Sequence, residues 1–328
     1  MSGSQTTSSI ELTLLRSLGS LLSPGGNKAR LSILIYHQVL RAPDPMRPRK
    51  VDASTFSWQM DLLARHFNVL PLTVAVKRLR EGSLPTRAVC MTFDDGYADS
   101  AEIALPILQT WGLPATFFIA TGYLDGGLMW NDTVIEVVRN IPPGKLDLSD
   151  LNIGIHRLEN FQERVAAAHR IIELLKYLPN QEKEERVRYL ISLTKSPLPD
   201  KLMLSSQQVL KLRAAGMEIG AHTVNHPILA HLEKEVARWE IAESKKHLEA
   251  LIGERVSLFA YPNGKPSQDY SPEHVEMVKE VGFDSAVSTK WGISTRQTDP
   301  WQLPRFTPWD TSPVRFMARL LMNCRLTP

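Results

Sequence analysis

The feature that most constrains this chain is an alternation of short apolar runs with helical stretches. LSILIYH at 31–37, AVCMTF at 88–93 and LPATFFI at 113–119 read as buried strands. Between them, STFSWQMDLLARH (54–66) opens with a Ser/Thr cap signal and carries apolar residues at helical spacing. FNVLPLTVAVKRL adds a short strand followed by a helix, and a further helix is expected over 99–110. The pattern resumes at MEIGAHT (217–223), VSLFAYP (256–262) and FDSAVST (283–289). Alternation of this kind predicts parallel strands joined by crossover helices, an α/β fold. A length of 328 residues suits one large α/β barrel, or one domain with an insertion.

Residues 126–205 break the pattern. LENFQERVAAAHRIIELLKYL and NQEKEERVRYLISLT are long, charge-rich and helical, so the segment reads as helices inserted into the barrel. Ser23-Pro24-Gly25-Gly26 separates the first strand from an N-terminal stretch in which Ile10, Leu14, Leu15, Leu18, Leu21 and Leu22 recur at helical spacing. Residues 1–30 are therefore expected to form an amphipathic helix and linker. The helix either packs on the domain or makes a peripheral membrane contact. Neither a signal peptide nor a transmembrane run is legible, which makes the cytoplasm the expected compartment. Balanced charge, 38 basic against 35 acidic residues, argues against nucleic acid as a partner. Cys90 and Cys324 are too few for a disulfide framework, and Cys90 reads as a small buried hydrophobe.

Two local signals carry chemistry. Asp94-Asp95 follows the AVCMTF strand at its C-terminal end, the rim where catalytic side chains collect in parallel barrels. Adjacent carboxylates repel unless a cation neutralises one, although Asp-Asp-Gly would also serve as a helix-capping turn. His222 and His226, four residues apart after another strand, can reach a single metal from one turn or tight loop. Together, two imidazoles and one carboxylate make a three-ligand metal site, with the second carboxylate left to act as a base.

TFDDGY (92–97), HTVNH (222–226) and FAYPNG (259–264), in that order, resemble the polysaccharide deacetylase family with its NodB homology domain, a carbohydrate esterase family 4-like group. ILIYHQV and TFSWQMDLL resemble the subgroup with biofilm poly-N-acetylglucosamine deacetylases. The likeness spans roughly residues 31–310, so that 31–328 would be the deacetylase domain. It implies a distorted (β/α) barrel of about seven parallel strands. By position, Asp94 would be the general base, and Asp95, His222 and His226 would bind Zn²⁺ or another divalent ion such as Co²⁺, Ni²⁺ or Fe²⁺. Thr223 falls at the Ser/Thr position, where its hydroxyl would brace the loop.

The chain departs from the family pattern in two places. No Arg precedes Pro262, and no His follows His274, so the usual Leu-x-His motif is missing. Arg305 is the candidate to orient Asp94 instead. The Tyr261-Pro262-Asn263-Gly264 turn would present a backbone N–H, that of Asn263, to an oxyanion. His37, ending the first strand, is the candidate general acid, with His231 the weaker alternative. The implied reaction is removal of an N-acetyl group from an amino-sugar glycan or a lipid-linked precursor. The rivals are hydrolysis of another C–N bond (ureide, imide or formamide), O-deacetylation, and a catalytically inert carbohydrate-binding protein.

Overall fold

The computed structural model describes residues 20–324. Strands β1 (Leu31–Tyr36), β2 (Ala88–Phe93), β3 (Thr116–Ile119), β4 (Glu218–Ala221), β5 (Leu258–Ala260), β6 (Ser285–Trp291) and β7 (Leu303–Arg305) run parallel, neighbours in that order. They form a nearly closed barrel of seven parallel strands. It closes where the chain leaving β7 meets β1: the Ile35 N–H donates to the Phe306 carbonyl at 2.9 Å, and the Phe306 N–H to the Ile33 carbonyl at 2.8 Å. A two-residue strand, Asn68–Val69, pairs beside the start of β2.

Around the barrel run α1 (Ala53–His66), α2 (Leu72–Glu81), α3 (Leu105–Thr110), α4 (Trp130–Asn140), α5 (Phe161–Lys176), α6 (Asn180–Ser192), α7 (Ser206–Ala214), α8 (Lys234–Ile252), α9 (Pro272–Glu280) and α10 (Pro313–Asn323). Every residue of β1 and β2 is buried, which explains their unbroken apolar sequences. Alternation splits their side chains between two cores. Tyr36, Phe93 and Phe117 stack outward, at centroid distances of 5.3 and 4.7 Å, with Phe56 of α1 edge-on to Tyr36. Ile33, Cys90, Phe118, Ala260 and Val287 face inward. Leu72, Ala75, Val76 and Leu79 of α2 join this inner cluster. The N–H groups of Leu72 and Thr73 donate to the Glu218 carboxylate at the start of β4, at 2.7 and 3.1 Å. Helix α2 thus closes the end where the strands begin, leaving the opposite rim for the site.

Residues 126–205 hold more than helices. Besides α4, α5 and α6 they contain an antiparallel hairpin, Lys145–Leu148 with Gly154–Arg157. Its KLDL strand buries Leu146 and Leu148 and exposes the residues between, a period of two. These elements share their own apolar core of Val134, Val138, Leu146, Ile171 and Leu190, joined by Met46. A buried charge network ties them to the rim: Arg47 donates to Asp132 at 2.6 Å, Glu136 at 3.0 Å and Gln38 at 3.1 Å. The Tyr97 hydroxyl donates to the other Asp132 oxygen at 2.8 Å. On α6 the Glu184–Arg188 pair is exposed, at 3.9 Å.

Some local expectations change. The cap of α1 is Asp52, which accepts from the Thr55 N–H at 2.7 Å, so a carboxylate ahead of the Ser/Thr signal does the capping. The helix expected over 99–110 begins as a wider π turn, Ser100–Ala104, before α3. Ser20–Leu22 are helical, and the rest of the helix expected over 10–22 lies outside the described residues. Cys90 and Cys324 are buried free thiols. Among the described residues, no helix is long and apolar enough to cross a membrane.

Gly220, inside β4, tests the packing of the inner core. A Cβ there would lie 2.5 Å from two ring carbons of Phe118 and 3.1 Å from the Leu258 carbonyl oxygen. Gly220→Ala should lower stability by about 1–3 kcal/mol, the usual range for overpacking, read from urea unfolding midpoints. An unchanged midpoint would mean that Phe118 moves aside freely.

Candidate active site

The ends of β2 and β4 supply the converging side chains. After β2, the Asp94 N–H continues the ladder by donating to the Tyr36 carbonyl at 3.0 Å. Asp95 then adopts a left-handed φ of 77° and Gly96 one of 86°, turning the chain back over the barrel mouth. After β4, Thr223 (φ 62°) and His226 (φ 54°) fold the next five residues into a tight loop. The Thr223 hydroxyl donates to the His222 carbonyl at 2.5 Å and accepts from the His226 N–H at 3.1 Å. Glu240, buried on α8, accepts from the Val224 and Asn225 N–H groups and the Asn225 side-chain amide, each at 2.8 Å. Left-handed Thr is costly, and this bracing offsets it.

The loops bring three donor atoms together. Asp95 Oδ1 lies 3.4 Å from His222 Nε2 and 3.3 Å from His226 Nε2. One ligand atom from each of Asp95, His222 and His226 falls within 4.8 Å of the others. His222 Nδ1 lies 2.7 Å from the Ala260 carbonyl, which fixes it as the protonated nitrogen and turns Nε2 toward Asp95. Burial opposes charge on His222, but the Asp95 and Asp94 carboxylates outweigh it and hold the ring's pKa above the ordinary value. Burial instead prevails at His226, whose pKa falls to about 4 despite Asp95. Burial would raise the pKa of Asp95, yet the hydrogen bond with His222 and the charge of His226 hold it well below the carboxylate range.

Asp94 is held separately. Arg305 Nη1 and Nη2 donate to its two oxygens at 2.7 and 2.6 Å. The same guanidinium donates to Thr92 Oγ1 at 3.0 Å and to the Ser288 carbonyl at 2.9 Å, and it is 1% exposed. Burial pushes the Asp94 pKa up, but Arg305 and His222 bring it below the ordinary value. A bidentate pair of this kind fixes the plane of the carboxylate as well as its charge. Asp94 Oδ2 stands 4.0 Å from His222 Nε2, adjoining the three converging donors.

A family profile for polysaccharide deacetylases matches residues 81–147 and 163–286, more than half of the sequence. This chain belongs to the polysaccharide deacetylase family. The family's reaction, hydrolytic deacetylation of a glycan, is therefore the activity class of this deacetylase. The Bacillus subtilis protein YxkH is 22% identical over 278 residues, 84% of this chain and 71% of the relative. Among solved structures, the Streptococcus pyogenes deacetylase PplD shares the fold at 18% identity and a TM-score of 0.61, covering 90% of this chain and 99% of that one. IcaB from Ammonifex degensii does so at 18% identity and 0.56, covering 92% and 99%.

The other sequence candidates divide. His37, directly after β1, feels the charges of Lys50, Asp95, Asp94 and Arg305. Burial first, then the Lys50 ammonium, lowers its pKa to about 4, so the ring is neutral at pH 7. Asn263 (φ 57°) lines a cavity of about 140 Å³ together with Asp95 and His226. Tyr261 is not brought there: its N–H donates to the Val287 carbonyl at 3.2 Å, and its ring stacks on Tyr270 at 3.8 Å in the outer core. Nor is His231, an exposed residue 5.8 Å from the Tyr177 ring. Glu240, Lys50 and the Arg47–Asp132 pair were missed, and no spacing in the sequence marks them.

Arg305→Met should leave Asp94 buried without its partner, at a cost of roughly 3–5 kcal/mol near neutral pH. In the intact protein the Asp94 pKa is depressed, so its contribution is present above the unfolded-state pKa and fades as pH falls through the folded one. In the variant the sign reverses, because burial alone raises that pKa, and the deficit should shrink on acidification. Urea unfolding of both proteins at about pH 5 and about pH 7.5 measures this. A deficit that does not change with pH would contradict the pairing.

Proposed function

We propose that this deacetylase removes N-acetyl groups from an amino-sugar glycan or its lipid-linked precursor in a metal-dependent hydrolysis. The observation that carries the reading is the convergence of Asp95, His222 and His226 within 4.8 Å, beside an Asp94 clamped by Arg305. Two imidazoles and a carboxylate are a donor set suited to Zn²⁺, Co²⁺, Ni²⁺ or Fe²⁺. The hydrogen bond from His222 Nδ1 to Ala260 is the kind of support that orients a metal-ligating histidine. A divalent ion held there would polarise the acetyl carbonyl and acidify water.

The remaining roles follow from the chain's own groups. Asp94 is ionised at pH 7 and takes the proton from the attacking water. A carboxylate held this acidic is a weak base that passes its proton on readily. His37 starts neutral and acts as the general acid after taking up a proton, which it gives to the leaving amine. The turn at Asn263 supplies a backbone N–H to the oxyanion as the tetrahedral centre forms. Arg305 keeps Asp94 in place throughout. In domain terms, residues 31–328 form the catalytic unit and 126–205 its insertion.

N-acetylglucosamine oligomers, incubated with chelated enzyme to which zinc has been restored, should release acetate. Asp94→Asn should keep the metal and lose nearly all release, whereas Asp95→Ala and His222→Ala should lose both. Metal-independent release, or full activity of Asp94→Asn, would overturn the proposal. His37→Ala should retain metal and slow turnover by about 10²–10⁴-fold. An unchanged rate would remove His37 from the mechanism.

A further inference from the structure

The cavity of about 140 Å³ that reaches Asp95, His226 and Asn263 does not end there. A second cavity, of about 340 Å³, shares Trp130, Lys183 and His226 with it, so the two form one groove between the barrel rim and the 126–205 segment. The charges along this groove cancel. Lys176, Lys183 and Arg188 stand against Asp95, Glu184 and Glu240, three cations and three carboxylates. Glu184 faces Arg188 at 3.9 Å and also acts on Lys183, while Glu240 accepts from the loop N–H groups. What the groove leaves uncommitted is neutral. Asn131 and Asn263 border the smaller cavity, and their side-chain amides bond to no other described residue. Each such amide offers both a donor and an acceptor, which suits sugar hydroxyl and acetamido groups.

Trp130 borders both cavities and is half-buried, packed in part on the insertion's own apolar core. Lys183 Nζ stands 5.3 Å from its ring centroid. The residue is also fixed through the backbone. It opens α4, where the Met129 carbonyl accepts from the Thr133 N–H at 2.8 Å. Two residues on, Asp132 is held by Arg47 at 2.6 Å and by the Tyr97 hydroxyl at 2.8 Å. Tyr97 itself lies two residues after Asp95, so one buried network sets both Asp95 and Trp130. A rigidly placed aromatic ring beside free amides and balanced charges matches the apolar face and hydroxyl rim of a neutral pyranose.

We infer that Trp130 and Asn131 form a subsite for a neutral sugar next to the one being deacetylated, so that the 126–205 insertion selects oligomers over single sugars. The inference rests on the N-deacetylase reading for its turnover test, though not for its binding test. Acetate release from free N-acetylglucosamine and from its neutral oligomer, by zinc-loaded enzyme, measures the selectivity. The oligomer should be favoured by about tenfold or more in kcat/KM. Trp130→Ala should lower the oligomer-to-monosaccharide ratio by several-fold, acting through KM, and Trp130→Phe should restore most of it. Asn131→Ala, which removes no packing from the insertion's core, should lower the same ratio in the same direction. Calorimetric binding of the oligomer to zinc-loaded Asp94→Asn, with and without Trp130→Ala, reads the groove without turnover. Oligomer binding that weakens in the Trp130→Ala variant, without acetate release by the intact enzyme, would refute the N-deacetylase reading and leave the subsite standing. Equal kcat/KM for oligomer and monosaccharide, or a ratio that neither Trp130→Ala nor Asn131→Ala changes, would overturn the subsite. So would tighter binding of an oligomer alternating with N-acetylmuramic acid, whose carboxylates a neutral groove has no reason to prefer.

Discussion

The bidentate contact between Arg305 and Asp94 is the interaction on which the site depends. It joins the last strand of the barrel to the second, across β1, with both side chains buried. Burying both charges is expensive, and removing one partner costs more than the pair returns. The remaining donors of Arg305 reach Thr92 and Ser288, and the Thr92 hydroxyl donates onward to the Leu34 carbonyl at 2.8 Å. The guanidinium is thus bonded to β2 and β6 and linked to β1 through Thr92, and barrel closure and the setting of the carboxylate become one event. A chain that failed to bring β7 against β1 would leave Asp94 without its partner.

Around that fixed point the backbone is held in unfavourable conformations. Asp95, Thr223, His226 and Asn263 all lie at positive φ, and three of them border the same cavity. Aspartate, asparagine and histidine tolerate this region better than most residues, whereas a β-branched threonine does not. The loop keeps Thr223 there because its hydroxyl bridges two backbone groups and Glu240 holds the neighbouring N–H groups. Strain concentrates where the donor atoms must converge, and ordinary hydrogen bonds elsewhere balance it. The Arg47–Asp132–Tyr97 network does similar work one layer out, fastening the 126–205 elements to the residue that follows Asp95-Gly96.

Much of this was legible in the chain because long apolar runs have few alternatives. AVCMTF became β2 with both ends as read, and Asp94, Asp95, His222 and His226 were found from their place after strands. Arg305 was picked out by the absence of an Arg before Pro262, a deficit that had to be met from elsewhere. Its strand was not seen, since Leu303–Arg305 is three residues long and contains a proline, too little for any periodicity. The hairpin at 145–157 was obscured by the charge-rich helices on either side. Tyr261 was placed in the site by its motif, but strand alternation sends its ring to the outer core. Glu240, Lys50 and Asp132 act through tertiary proximity alone, which no local pattern encodes.

The convergence of Asp95, His222 and His226 on one ion is the central claim, and X-ray absorption at the zinc edge tests it most directly. Protein loaded with one equivalent of zinc should show two imidazole nitrogens at about 2.0–2.1 Å and light oxygen donors at about 2.0–2.2 Å. His222→Ala should lose one imidazole shell or the metal altogether. A spectrum dominated by sulfur, or one that neither His222→Ala nor Asp95→Ala alters, would contradict the account.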